Sequence, residues 1–162
     1  MVEAQPTQWI RDTRWRQGSV LPAAAVERLD LHHPTEGSTT CVVVISHDCD
    51  LANDNLGVEP DVEVIIGRCI NKEIGNFTWG KSPRTLHYTV TCAGAEQFVE
   101  LVSTGKCYLA KNDLAQFEPD DRYSLNGKAL AVVSQEVVHP RPVKMGVLTP
   151  TLRHRNSSDE QP

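Results

Sequence analysis

The sequence predicts a mainly β protein: a small rolled or SH3-like barrel with a C-terminal helix, α+β in class. Three observations carry this. "CVVVIS" (Cys41–Ser46) and "DVEVIIGRCI" (Asp61–Ile70) are short runs dominated by β-branched residues, and the first is apolar enough to be covered on both faces. "TLHYTVTC" (Thr85–Cys92) sets Leu86, Tyr88, Val90 and Cys92 against Thr85, His87, Thr89 and Thr91, the period of a half-buried strand with a polar outer face. The segments between these runs are turn-rich, with little helical periodicity.

Taken in order, residues 1–8 carry no apolar pattern and read as a flexible start. Trp9, Ile10 and Trp15 have a short amphipathic spacing that Gly18 ends, leading into a short strand at Ser19–Leu21. "AAAVERLDL" suits one helical turn or a short strand. "HHPTEGSTT" (His32–Thr40) is turn chemistry, and Asp50–Pro60 is a loop rich in Asn, Asp and Gly. "NKEIGNFTWGKSPR" is a loop with two glycines and a proline. "QFVELVSTGKCYLAKNDLA" places two β-prone runs around Gly105–Lys106, the pattern of a hairpin. "EPDDRYSLNG" is again a loop. Over 128–138, Leu130, Val133 and Val137 form a helical stripe that Pro140 ends, whereas Val132, Val133, Val137 and Val138 suit a strand. The polar tail, 147–162, is expected to be disordered. A single β-rich domain thus spans 9–146, as the length of 162 residues suggests.

Composition bounds the function. A hydrophobic content of 40% and a charged content of 23% are those of a soluble globular protein. No apolar run approaches the roughly 20 residues that span a bilayer, and the N-terminus lacks a signal-like apolar core, so no membrane association and a cytoplasmic location are expected. Cys41, Cys49, Cys69, Cys92 and Cys107 are odd in number and form no CxxC pair, which fits a reduced compartment, with Cys41, Cys69 and Cys107 as small core residues. The net charge of −5 argues against a tight, constitutive nucleic-acid binder. The charge is also polarised. From Leu29 to Gly67 there is no Lys or Arg but there are eight acidic residues, among them Asp48, Asp50, Glu59, Asp61 and Glu63.

The densest chemistry follows the first valine-rich strand, in "SHDCDLANDNLGVE". As an extended chain it would turn Asp48 and Asp50 to one face and Cys49 to the other. The carboxylate pair is a candidate divalent-metal site, and His47 with Cys49 could reach for zinc alongside His87 or Cys92. Carboxylates at Asp48, Asp50, Asp54 and Glu59 echo calcium-loop spacing, but Asn53 stands where the loop's glycine belongs. "DCDL" after a strand, with "PDDR" later, is similar to the haloacid-dehalogenase arrangement, although the chain lacks that family's alternation of strands and helices. Cys49 flanked by two carboxylates is poorly placed to ionise. In "GKSPRTLHY", Arg84 and His87 form a second polar cluster able to bind phosphate or to pair with the acidic face.

The order of features resembles the PemK/MazF family of small barrel ribonuclease toxins: "WRQGSVL" near the first strand, "TEGSTTCVVVIS", "LANDN", "VEVIIG" and "VSTGKCYLAKNDL". The resemblance implies a barrel with a C-terminal helix. The family's Arg-Pro before the valine strand is here Thr39-Thr40, and Thr78 is the nearest match to its Ser or Thr after the second strand. The chain is also similar to uncharacterised bacterial and phage proteins with a "WxQG … SxDCDL … EPxVEV … PRxLH" pattern. Two functions are expected from this. One is a binding module of a bacterial or phage conflict system, with Glu59, Asp61 and Glu63 in an acidic surface that docks a protein partner. The other is a nucleic-acid-cleaving enzyme with His47, Asp48, Asp50, Arg84 and His87 as catalytic residues and a divalent metal at Asp48 and Asp50. A homodimer is compatible with either.

Overall fold

The computed structural model describes residues 8–78, 81–82 and 84–125. The region expected to be helix or strand at 128–138, and the tail, lie outside them. The fold is mainly β: five antiparallel strands form one curled, half-barrel sheet, with a few short helices. In chain order these are α1 (Ala23–Arg28), β1 (Thr40–Val44), α2 (Asp48–Leu51), β2 (Asp61–Ile70), β3 (Thr85–Cys92), β4 (Ala95–Ala110), α3 (Lys111–Leu114) and β5 (Tyr123–Leu125). The sheet order is β1-β2-β4-β3-β5. No helix among the described residues is long and apolar enough to cross a membrane.

β1 has apolar partners on both faces. Val42, Val43, Val44 and the following Ile45 are all fully buried. Each such side chain contributes about 1.5–3 kcal/mol on leaving water. Val42 and Val44 join a cluster with Trp9, Trp15, Val26, Leu51, Val62, Val64 and Leu114. Cys41, Val43 and Ile45 join a second cluster with Ile65, Leu86, Tyr88, Val90, Val99 and Leu101. The outer edge of β1 is covered by the N-terminal segment: the Gly18 and Leu21 N–H groups donate to the carbonyls of Val44 and Val42, at 2.8 and 2.9 Å. Val20 forms an isolated bridge with Val43 where a short strand was expected. The Asp120 N–H donates to the Val20 carbonyl at 2.9 Å and ties the chain before β5 back to the β1 side.

The expected hairpin at Gly105–Lys106 does not occur. β4 runs through it as one 16-residue strand. Gly105 sits in an irregularity where β2 advances from Ile65 to Gly67 while β4 goes from Lys106 back to Leu101. A Cβ on Gly105 would lie 2.3 Å from the Ile66 carbonyl oxygen, and one on Gly67 would lie 2.4 Å from that of Glu100. These glycines let two backbones approach, which is the other use of glycine in a strand. The irregularity also shifts the alternation by one. Val99 and Leu101 point into the second cluster, whereas Leu109 points into the first. The true hairpin joins β3 to β4 through Ala93 and Gly94, whose φ values of 49° and 83° match a turn with both central residues left-handed.

Candidate functional site

The acidic segment is built around a lysine that sequence reading passed over. "DCDL" does not extend β1. His47 leaves the strand, and Asp48–Leu51 make one helical turn, α2, with Asp48 and Asp50 in the first turn, where negative charge suits the free N–H groups. The alternation expected to place Asp48 and Asp50 opposite Cys49 therefore does not hold. Helical geometry fans the three out at the surface and sends Leu51 into the core, where it is fully buried. Lys111, at the start of α3, is fully buried beneath this turn. Its Nζ donates to the carbonyls of Asp50 at 2.6 Å and Asn53 at 2.8 Å, and stands 5.8 Å from the centre of the Trp9 ring. The Trp9 indole N–H donates to the Leu51 carbonyl at 2.9 Å. Burial lowers the lysine's pKa, and Glu59, Asp50, Asp54 and Asp61 work against that shift by stabilising its charge.

Other motif residues serve the same scaffold. The Gln17 backbone N–H donates to Asp48 Oδ1 at 2.7 Å, and its side-chain amide donates to the Ile45 carbonyl at 3.0 Å. Ser46 Oγ accepts from the Glu63 N–H at 2.8 Å. Thr78 is buried and its hydroxyl donates to the Gly75 carbonyl at 2.9 Å. Thr40 Oγ1 accepts from the His33 N–H and donates to the Gly37 carbonyl, both at 2.8 Å.

His87 lies elsewhere. On β3, with β4 and β2 between it and β1, it was expected on an open polar face, yet it is buried. Residues around a 3-10 turn at Gly75–Phe77 fold over it: the Ile74 N–H donates to His87 Nδ1 at 3.0 Å, and the Phe77 ring centre is 5.0 Å away. With Nδ1 accepting, Nε2 carries the proton and donates to Glu100 Oε2 at 2.8 Å. Arg68 Nε donates to Glu100 Oε1 at 2.8 Å, and Arg68 also pairs with Glu36. Burial opposes the charge on Glu100, but the hydrogen bonds from His87 and Arg68 outweigh it and hold the carboxyl below its ordinary range. Both His87 nitrogens are thus engaged, and neither offers a lone pair to a substrate.

Arg84 is exposed, and no ion pair joins it to Asp48, Asp50 or Glu63 among the described residues. The five candidate catalytic residues are divided between the α2 turn and the β3 side of the sheet. No group of three or more His, Cys, Asp or Glu side chains among the described residues is arranged to hold a metal ion. Of the acidic trio, Glu63 lies 3.9 Å from the Lys106 ammonium and opposite Tyr108, which is 70% exposed. Glu59 and Asp61 have no ion pair among the described residues, and Asp54 has an exposed one with Arg11 at 3.4 Å. Val58, in the same loop, is 68% exposed. Comparison with protein-family models, curated proteins and solved structures finds no match to this chain.

Proposed function

We propose that this protein is a non-catalytic binding module whose acidic segment, Asp48 to Glu63, docks a basic protein partner. The observation that carries the reading is Lys111. Its ammonium is spent inward on two backbone carbonyls, so it shapes the loop while Glu59 and Asp61 keep no ion pair among the described residues. The docking face would combine Asp48, Asp54, Glu59 and Asp61 with exposed Val58 and Tyr108. Tyrosine beside carboxylates suits a lysine- or arginine-bearing surface, through charge and ring-face attraction. The engagement of both His87 nitrogens favours docking over hydrolysis. The order of features shared with PemK/MazF barrels supports a place in a bacterial or phage conflict system.

The test measures binding of a lysine- and arginine-rich peptide by fluorescence anisotropy, alongside cleavage of mixed RNA and DNA. Salt-sensitive binding is expected, weakened about tenfold or more by the double change Glu59→Lys and Asp61→Lys, with no cleavage. Cleavage lost in Asp48→Asn, or binding indifferent to the charge reversals, would replace this reading with the enzymatic one.

A further inference from the structure

One face of the sheet gathers three of the five cysteines, Cys41, Cys69 and Cys92. Cys41 on β1 and Cys69 on β2 belong to neighbouring antiparallel strands and the same apolar cluster. Cys41 stands opposite Gly67, so Cys69 is its diagonal neighbour. Cys92 stands opposite Tyr123. Tyr88 lies under the same cluster. Its hydroxyl is the one buried side-chain polar atom without a hydrogen-bond partner among the described residues, and it lies close enough to Cys41, Cys69 and Tyr123 to feel their charge. A cavity of about 180 Å³, bounded by Val20, His32, Thr40, Cys41, Arg122 and Tyr123, opens beside Cys41.

We infer that Cys69 and Cys41 form a thiol oxidation site for a small hydroperoxide, Cys69 as the attacking thiolate and Cys41 as the resolving thiol. The Cys69 thiol reaches Gln97 Oε1 at 3.8 Å, and interaction with Cys41 lowers Cys69 to about 7, while interaction with Cys69 and burial raise Cys41. Cys69 is partly exposed whereas Cys41 is buried, and the more accessible, partly ionised sulfur reacts first. In the first step the Cys69 thiolate attacks one oxygen of hydrogen peroxide, the O–O bond breaks, and Cys69 becomes a sulfenic acid as the other oxygen leaves and takes up a proton to become water. In the second, Cys41 attacks the Cys69 sulfur. The S–O bond breaks, and the hydroxyl leaves with the Cys41 proton as a second water. Two thiols and one peroxide give one disulfide and two waters. The orphaned Tyr88 hydroxyl supplies a hydrogen-bond donor for the oxygen held transiently on Cys69. Diagonal neighbours have Cα atoms about 7–8 Å apart, and a disulfide spans about 4.4–6.8 Å, so the bridge draws the start of β1 inward and is readily reversed by a small thiol.

The experiment treats the reduced full chain with a stoichiometric amount of hydrogen peroxide and maps the products by peptide mass spectrometry. A Cys41–Cys69 crosslink is expected, and it should persist in Cys49→Ser, which removes the exposed thiol. Cys41→Ser should stop at a Cys69 sulfenic acid that dimedone traps, and Cys69→Ser should give neither product. The position of the crosslink in the unmodified chain is decisive by itself if a serine variant fails to fold. A crosslink through another pair, oxidation confined to Cys49, or a sulfenic acid on Cys41 would overturn the inference.

Discussion

Lys111 shows how one side chain decides the use of its surroundings. A buried ammonium is costly unless its protons are taken up. Here two go to the Asp50 and Asn53 carbonyls where the α2 turn ends, the first of which also accepts from the Asn53 N–H at 3.2 Å. Lys111→Met keeps the length and apolar stem but abandons both carbonyls and the field from Asp50, Asp54, Glu59 and Asp61. Charge-assisted hydrogen bonds of this kind contribute about 1.5–3 kcal/mol, so chemical denaturation should show a loss of that order or somewhat more. A second readout separates support of the loop from general packing: backbone amides at 50–56 should lose hydrogen-exchange protection before those of β2. Lys111→Arg is expected to be nearly as damaging, because the planar guanidinium does not fit the space of a fully buried ammonium.

At the scale of the element, β4 has the most particular design. One strand serves two hydrophobic clusters because its irregularity near Gly105 shifts the side-chain alternation. Gly105→Ala places a methyl 2.3 Å from one carbonyl oxygen and 3.2 Å from another. Neither belongs to a flexible side chain, so the strands must part, and a loss of about 2–4 kcal/mol is expected in thermal or denaturant unfolding. Ala93→Gly should act the other way. Ala93 holds φ of 49° at the hairpin, and relieving a left-handed alanine is expected to raise stability by up to about 1 kcal/mol. The pair explains what was legible in the sequence. β2 and β3 match the runs Asp61–Ile70 and Thr85–Cys92, because β-branched content and alternation act locally. The hairpin was misplaced because a glycine signals both a turn and a close approach, and only the facing strand tells them apart. "CAGAE" carried the weaker-looking turn, with alanine at a position that Asn or Asp usually fills.

Across the whole molecule, the polar contacts that close the structure join residues far apart in sequence. Glu36, Arg68, His87 and Glu100 meet only through the register of β2, β4 and β3, so no spacing rule could have drawn them together. The acidic segment was legible as composition, whereas its buried lysine, roughly 50 residues further on, was not. The Glu100 cluster sets the pH response. Glu100 is held below the ordinary glutamate value of 4.5 by His87 and Arg68, even though burial opposes its charge. Asp120, hydrogen-bonded to Arg122, is likewise held below the ordinary aspartate value of 3.8. A carboxylate depressed in the folded state binds fewer protons there than in the unfolded chain. Its stabilisation is complete above the unfolded value and fades as pH falls through the folded one. Unfolding free energy should therefore be level from neutral pH down to about pH 5 and then fall steeply. Glu100→Gln removes the ionisable group, keeps one acceptor oxygen and turns its amide N–H groups towards the donor of either His87 or Arg68. It should cost about 1–3 kcal/mol at pH 7 and show a shallower decline in acid, so that the two curves converge as pH falls through the folded-state titration of Glu100. Parallel curves would mean that Glu100 titrates alike in both states and that the His87–Glu100–Arg68 cluster does not govern acid stability.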